Sequence, residues 1–469
     1  MASEFLHYLF GSSNIENVIL YDERGEYTYS DFQRIISEIQ VRLENVGFPK
    51  KSNVIVYMDN RIEAIATIIA IFRCGLVAVP VSFSLPDSLF EQYVKHIDAV
   101  AYISIDDNEK TKINVLDANC KNYNNSNTSL ILFTSGTTGK LKAVELSESG
   151  LVGTISAVVE YMKCDSTDCF FVIKDYVHCS CLISEIFVGL VTGSKICIYN
   201  PRLPFSILRK KIKEHNVTIM GVNPWILEMI CKQPQFIEYY KSIRLLISSG
   251  SVLSDKQKVY MAELLSFAQI INVYGLTEAC SRVCAQVPGF NFDNLSVGKT
   301  IKNVSISLKS YDNENYEILV KSPGNMLGYY NDIQSTNEKL VDGWILTGDI
   351  GYLDGDDNLI VLGRKDDLIL CASNKIDPNH VDNVIRQFPG VKDACTIGLP
   401  DSLLGEKVVS VIEYDMTWSQ EVYMEIQNYC KQHLLPYERP SKVVSISHIP
   451  RTVSGKVLKQ EIRNMLING

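Results

Sequence analysis

Short runs of consecutive apolar residues alternate, along the first half of the chain, with longer stretches in which apolar residues return every three or four positions. Val54-Ile55-Val56-Tyr57-Met58 is a run of the first kind and predicts a buried strand. Arg61 to Cys74 predicts a helix stopped by Gly75, and Val77-Ala78-Val79-Pro80 predicts the next strand. Upstream, Phe32, Ile35, Ile36, Ile39 and Leu43 recur at helical spacing behind Ser30, a capping residue, and the pattern ends near Gly47. Repeated β-α-β units imply a largely parallel sheet with helices on both faces.

The pattern changes late in the chain. Asp354-Gly355-Asp356-Asp357-Asn358 is a turn, Leu359 to Leu362 a strand, and Gly363-Arg364-Lys365-Asp366-Asp367 a charged turn. Beyond it lies a small α+β pattern: strand Lys407 to Glu413, helix Ser419 to His433, strand Lys442 to Ser447. The expected architecture is therefore α/β. A large domain over residues 1–363 layers parallel or mixed sheets with helices, and a small α+β domain covers residues 364–469. The polar stretch Asn122 to Thr128 reads as a surface loop.

Composition narrows the class. At 469 residues, with 46% apolar and 21% charged residues, the chain has the make-up of a soluble globular protein of more than one domain. A formal charge of −9 argues against a surface built for nucleic acid or anionic lipid. The start, Met1-Ala2-Ser3-Glu4-Phe5, lacks the form of a secretory signal, and runs such as Ala64 to Phe72 are too short to span a bilayer. The expectation is a cytoplasmic protein with no membrane insertion. Thirteen cysteines fall in no shared metal-binding spacing and read as small buried residues in a reducing compartment.

The densest chemistry follows the strand Leu130-Ile131-Leu132-Phe133. Thr134-Ser135-Gly136-Thr137-Thr138-Gly139-Lys140-Leu141-Lys142 offers backbone N–H groups, hydroxyls and two lysines to one anion, which suits a polyphosphate. A P-loop is excluded, because Thr134 stands where that motif needs glycine and Leu141 where it needs Ser or Thr. Ala143 to Leu146 predicts a short strand, so the loop joins two strands; a flexible polar hairpin is the alternative reading.

Phe133 to Gly139 resembles the phosphate loop of the adenylate-forming superfamily, which comprises acyl- and aryl-CoA ligases, stand-alone adenylation domains and beetle luciferase. Further segments match that family in order. Ser248-Ser249-Gly250-Ser251, after the strand Leu245 to Ile247, is similar to the segment whose backbone lies against adenine. Strand Ile270 to Val273 runs into Tyr274-Gly275-Leu276-Thr277-Glu278. By resemblance Tyr274 stacks on the purine, Asn272 and Gly275 also border the nucleotide, Thr277 meets a phosphate and Glu278 holds Mg²⁺. Apart from the resemblance, such a Tyr and Glu fit a packed ring and a solvated charge as well.

In Gly343 to Tyr352, Asp349 resembles the carboxylate that accepts from both ribose hydroxyls, with Tyr352 close by. Arg364 resembles the arginine on ribose or phosphate, and Asp366 falls at the family's hinge position. Lys365 and Asp367 suit a salt-bridged surface turn. In Pro450 to Val457, Lys456 resembles the lysine that bridges carboxylate and α-phosphate during adenylation; outside that context it would be an ordinary surface lysine.

The resemblance implies an acid–thiol ligase that joins ATP and a small carboxylic acid into acyl-AMP, releases pyrophosphate, and passes the acyl group to CoA. The alternative acceptor is the phosphopantetheine arm of a carrier protein. His178 falls where acyl- and aryl-CoA ligases carry a histidine beside the substrate; a core histidine is the other reading. Val222 and Pro224, in the turn Val222-Asn223-Pro224, and Ser249 would line the acid pocket. Cys179, Ser180 and Cys181 stand where amino-acid-activating domains place an aspartate, which favours an apolar acyl or aryl acid over an α-amino acid. Leu141, Ala143, Leu370, Ser373 and Lys375 depart from the family's usual residues, and Ser373 bears on the thiol step. A luciferase-like oxygenase and a nucleotide-binding protein without catalysis are the readings from other classes.

Overall fold

The computed structural model describes the chain except residues 1–3, 11–18, 109, 117–125, 136–140, 250–259, 262, 288–295, 311–315, 372–373, 402–403, 452–456 and 469. Positions 4, 19, 135, 225, 366, 370, 374, 375, 405 and 468 are described by backbone alone. Two compact units emerge: residues 1–307, 319–347 and 354–359 form the first, and residues 308–318, 348–353 and 360–469 the second.

Two sheets build the first unit. In the seven-stranded sheet Asn53–Met58 pairs in parallel with Val77–Ser82 and Ala101–Ile105, and Thr128–Ser135 turns back antiparallel as Leu141–Ser147. The nine-stranded sheet has a parallel centre in the order Gln269–Tyr274, Leu245–Ser248, Ile219–Val222, Cys169–Val172, Lys195–Ile198.

Strand side chains alternate between faces, and this explains the layering. Val54, Val56, Leu130, Leu132 and Val144 join one large core together with Phe170, Val172, Ile219, Ile247 and Val273 of the other sheet. Their neighbours Ile55, Val79 and Ile131 face a second cluster, and Phe171, Met220, Val222 and Leu246 a third. The helix Ile62–Arg73 lies in the shared layer and is buried all round, from Ala64 through Phe72. The helices Phe205–Glu214 and Pro224–Cys231 cover the outer face of the nine-stranded sheet.

Helix ends follow local chemistry, with one correction. The helix Tyr29–Val46 is capped by Thr28, not Ser30: the Thr28 hydroxyl accepts from the Asp31 N–H and the Asp31 carboxylate accepts in return. Its other end is Gly47 in the left-handed region. The expected surface loop 122–128 also ends early. Residues 122–125 lie outside the described residues, Ser126 and Asn127 are exposed, and Thr128 is fully buried with its hydroxyl donating to Glu145.

In the second unit Gly405–Tyr414 is the central strand, antiparallel to Val391–Asp401 and Ile369–Cys371 and parallel to Lys442–Ile446. Val408 and Ile412 face the helices Pro378–Ile385 and Gln420–His433, while Val409 and Val411 face Ile462 of the helix Lys459–Asn468. Among the described residues no helix is long and apolar enough to cross a membrane.

Candidate active site

Parallel strands leave their carboxyl ends free for ligands. Four adjacent strands of the nine-stranded sheet bring expected site residues to one such edge. Cys169–Val172 leads through Lys174 to His178, Ile219–Val222 leads to Asn223 and Pro224, Leu245–Ser248 to Ser249, and Gln269–Tyr274 to Thr277 and Glu278. Register fixes their level, with Val222 beside Ser248 and Ser248 beside Asn272. The Ser249 N–H donates to the Val222 carbonyl, and Asn272 is locked by reciprocal bonds with Gln286.

Tyr274 to Glu278 form a tight turn. A Cβ on Gly275 would lie 1.8 Å from the Ser281 carbonyl oxygen, so only glycine allows this closure. The short 3-10 turn Thr277–Ala279 follows, then Cys280 and Ser281 with positive φ, and the chain returns as Cys284–Ala285 beside Val273 and Tyr274.

The hairpin Thr128–Ser135/Leu141–Ser147 pairs Thr134 with Lys142 and presents its tip beyond Ser135 and Leu141, as the expected strand-to-strand loop requires. The Lys142 ammonium lies 4.8 Å from the centre of the Tyr329 ring. The Tyr329 hydroxyl donates to Glu278 Oε1 at 2.7 Å, and the Met326 N–H donates to the Glu278 carbonyl at 2.7 Å. The Thr277 hydroxyl reaches Cys179 Sγ at 3.4 Å, next to His178. One series of contacts thus runs from the loop lysine through Tyr329, Glu278 and Thr277 to the histidine segment.

Tyr329, 4% exposed, carries no signal in a reading of contiguous motifs. The one trace of it is the aromatic pair Tyr329-Tyr330 between Gly328 and Asn331, the latter with positive φ.

His178 stands at the head of the helical stretch Cys179–Phe187, buried from Cys181 onward, whose last six residues, Leu182–Phe187, form a π-helical turn. Its imidazole makes no hydrogen bond among the described residues. Burial pushes its pKa below the ordinary value, with Asp175 opposing and Lys174 reinforcing that shift, which favours the neutral ring. The loop before it is anchored: Tyr176 donates to the Val56 carbonyl, and Asp175 accepts from Ser82.

In the second unit Asp349 is 8% exposed and pairs with Arg364 at 3.4 Å across neighbouring strands Trp344–Leu353 and Leu359–Arg364. Tyr352 is exposed on the same strand. Lys365 pairs with Glu317, and Lys459 with Asp367, as a salt-bridged turn requires. Gly136, Thr137, Thr138, Gly139, Lys140, Gly250, Ser251, Ser373 and Lys456 lie outside the described residues, as do the side chains of Ser135, Asp366, Leu370 and Lys375.

Among the described residues no three His, Cys, Asp or Glu side chains gather as metal ligands. Glu278 offers one carboxylate with Oε1 held by Tyr329. A single carboxylate completed by phosphate oxygens and water is a donor set for Mg²⁺, so the residues fit an ion that arrives with a nucleotide.

The family model described as AMP-binding enzyme matches residues 12–330, and that of the AMP-binding enzyme C-terminal domain matches residues 380–456. A 2-succinylbenzoate–CoA ligase of Bacillus cereus is 24% identical over 462 residues, covering 95% of this chain and 94% of its own. A 4-coumarate–CoA ligase 3 of Oryza sativa subsp. japonica is 29% identical over 358 residues, 72% of this chain and 64% of that protein. The fold is that of ATP-bound MatB from Rhodopseudomonas palustris, with a TM-score of 0.89 at 19% identity over 99% of each chain. With most of its length accounted for by the two family models, the protein belongs to the AMP-binding enzyme family, a branch of the adenylate-forming superfamily.

Proposed function

We propose that this protein is an acid–thiol ligase that condenses an acyl or aryl carboxylic acid with ATP and then transfers the acyl group to CoA. A carboxylate oxygen attacks the α-phosphorus, the bond to the bridging oxygen breaks, and pyrophosphate leaves with the electron pair. The thiol sulfur then attacks the acyl carbon, AMP departs with its oxygen, and the thiol proton is released to solvent. The acid needs no general base because it is ionised at neutral pH.

The observation that carries this reading is the series Lys142, Tyr329, Glu278, Thr277, Cys179, which links the hairpin of the seven-stranded sheet to the strand ends of the nine-stranded sheet. It sets a cation, an oriented carboxylate and a hydroxyl between the hairpin tip and the histidine segment. The hairpin Thr134 to Lys142 cradles the phosphates, and Gly250, Ser251, Asn272, Tyr274 and Gly275 border adenine. Asp349, Tyr352 and Arg364 hold ribose. Bound at Glu278, Mg²⁺ supplies charge neutralisation on the phosphates. Lys456 contributes the second cation during adenylation, and Asp366 is the hinge between residues 1–363 and 364–469 that moves Lys456 away before the thiol step. Pro224, Ser249 and neutral His178 line the acid pocket, with Val222 packed behind them in the outer core. The named ligase relatives support CoA as the acceptor.

Acid-dependent ATP–pyrophosphate exchange with a library of carboxylic acids tests the first half-reaction, and offering CoA and a carrier protein separately tests the second. The expected result is exchange with a subset of acids and a thioester formed with CoA. ATP binding without exchange from any acid would leave a nucleotide-binding protein without catalysis.

A further inference from the structure

The helical stretch after His178 holds a buried ion pair in a largely apolar layer. Glu185, 2% exposed, accepts from the Lys174 ammonium at 2.5 Å through Oε1. Its Oε2 is enclosed and makes no hydrogen bond among the described residues. Leu182, Ile183, Ile186 and Phe187 around it belong to the large core. A buried ion pair stabilises no more than apolar side chains of the same volume, and an oxygen left without a donor lowers its worth further.

Two more features at the same spot weaken the fold locally. Gly221 lies within the strand Ile219–Val222, where a Cβ would come within 2.1 Å of Glu185 Oε1 and 2.8 Å of Oε2. The missing side chain gives the carboxylate its place, although glycine weakens a strand. Leu182–Phe187 winds as a π-helix, a rare form that gathers at functional sites.

This stretch touches the candidate site at both its ends. Ser184, next to Glu185, shares a hydrogen bond of 2.7 Å with Ser281, and Cys179 Sγ accepts from the Thr277 hydroxyl at 3.4 Å. Gly221 is level with Ile247 on the strand that leads to Asn223 and Pro224. Lys174 is fastened in turn: its carbonyl accepts from Asn60 at 2.8 Å and from the Cys181 thiol at 3.5 Å, and Asn60 accepts from the Tyr176 N–H at 3.1 Å. The Lys174–Glu185 bond therefore closes residues 174–185 into a loop with His178 inside it.

We propose that Lys174 and Glu185 are positioning residues: their ion pair, seated against Gly221, holds the loop that carries His178 in place and acts on the acid through His178. The inference rests on the reading of His178 as a wall of the acid pocket and adds what sets its place. Apolar side chains could pack there in several arrangements, whereas a charge pair with one seat specifies one.

The test is acid-dependent pyrophosphate exchange by the full chain with an accepted acid. Replacing the pair with apolar side chains of similar volume, Lys174→Met with Glu185→Met, is expected to leave the melting temperature at or above that of the wild-type protein. Efficiency with the acid should fall by about 10- to 100-fold, through the KM for the acid and not the KM for ATP. In a His178→Ala background the same double substitution should lower efficiency no further, because the pair acts through that ring. Gly221→Ala, which displaces the carboxylate, should reproduce the loss, and adding Glu185→Asp should restore part of it. A wild-type acid KM in the apolar double variant would overturn the inference, as would losses that add in full to those of His178→Ala. Where the double variant fails to fold, Gly221→Ala decides, and an unaltered acid KM in it would overturn the inference equally. Absence of exchange with every acid would instead refute the adenylation reading, and this inference with it.

Discussion

Glu278 owes its orientation to a phenol 51 residues further along the chain. A carboxylate tethered through one oxygen keeps the other free to aim, and the tether fixes which way it points. Replacing Tyr329 with Phe removes a hydrogen bond to a charged group, worth about 1.5–3 kcal/mol. The expected outcome is a rate of pyrophosphate exchange lower by about 10- to 100-fold, with more Mg²⁺ needed for half-maximal rate. A Mg²⁺ titration of the variant checks it, and an unaltered Mg²⁺ requirement would count against the positioning role. At this scale the contiguous motifs were legible: Tyr274 to Glu278 and the Thr134 to Lys142 loop announce themselves by residue type. Tyr329 does not, because its meaning lies in partners brought near by the sheet, which no spacing along the chain encodes.

Elements were legible wherever burial imposed a period. Asn53–Met58, Val77–Ser82, Leu245–Ser248 and the helix Gln420–His433 fall where the apolar pattern puts them. The cap at Thr28 was not, since Thr28 and Ser30 both precede the same apolar stripe and only the reciprocal bond with Asp31 decides between them. The helix Pro378–Ile385 holds another feature hidden from sequence. Asp382 is buried there with Oδ1 unpartnered, and burial pushes its carboxyl up to about 6, against the opposing influences of Arg386 and Thr396. The folded-state value lies above the unfolded one, so the group's contribution is fully present below the ordinary carboxylate pKa and is lost as pH rises through about 6. Asp382→Asn is therefore expected to gain thermal stability over the wild-type protein above that value, by at most about 2–3 kcal/mol. At acid pH the gain should vanish. Melting curves of both proteins across that window check the sign, and a gain independent of pH would contradict the assignment.

For the molecule as a whole, the chain forms two units, and each has its own core. The interdigitated course of the chain, with residues 308–318 and 348–353 in the second unit, was not legible, because it depends on which strands pair rather than on composition. On the proposed mechanism the large unit supplies the strand-end edge and the small one supplies Lys456, so the chemistry requires both. Its central claim is that the acid's own oxygen becomes bonded to the α-phosphorus. The most direct measurement is a turnover with ATP, CoA and an accepted acid labelled with heavy oxygen in its carboxylate, read by mass spectrometry of the nucleotide products. The account predicts AMP carrying one labelled oxygen and pyrophosphate carrying none. Label in inorganic phosphate, with ADP as the nucleotide product, would contradict it.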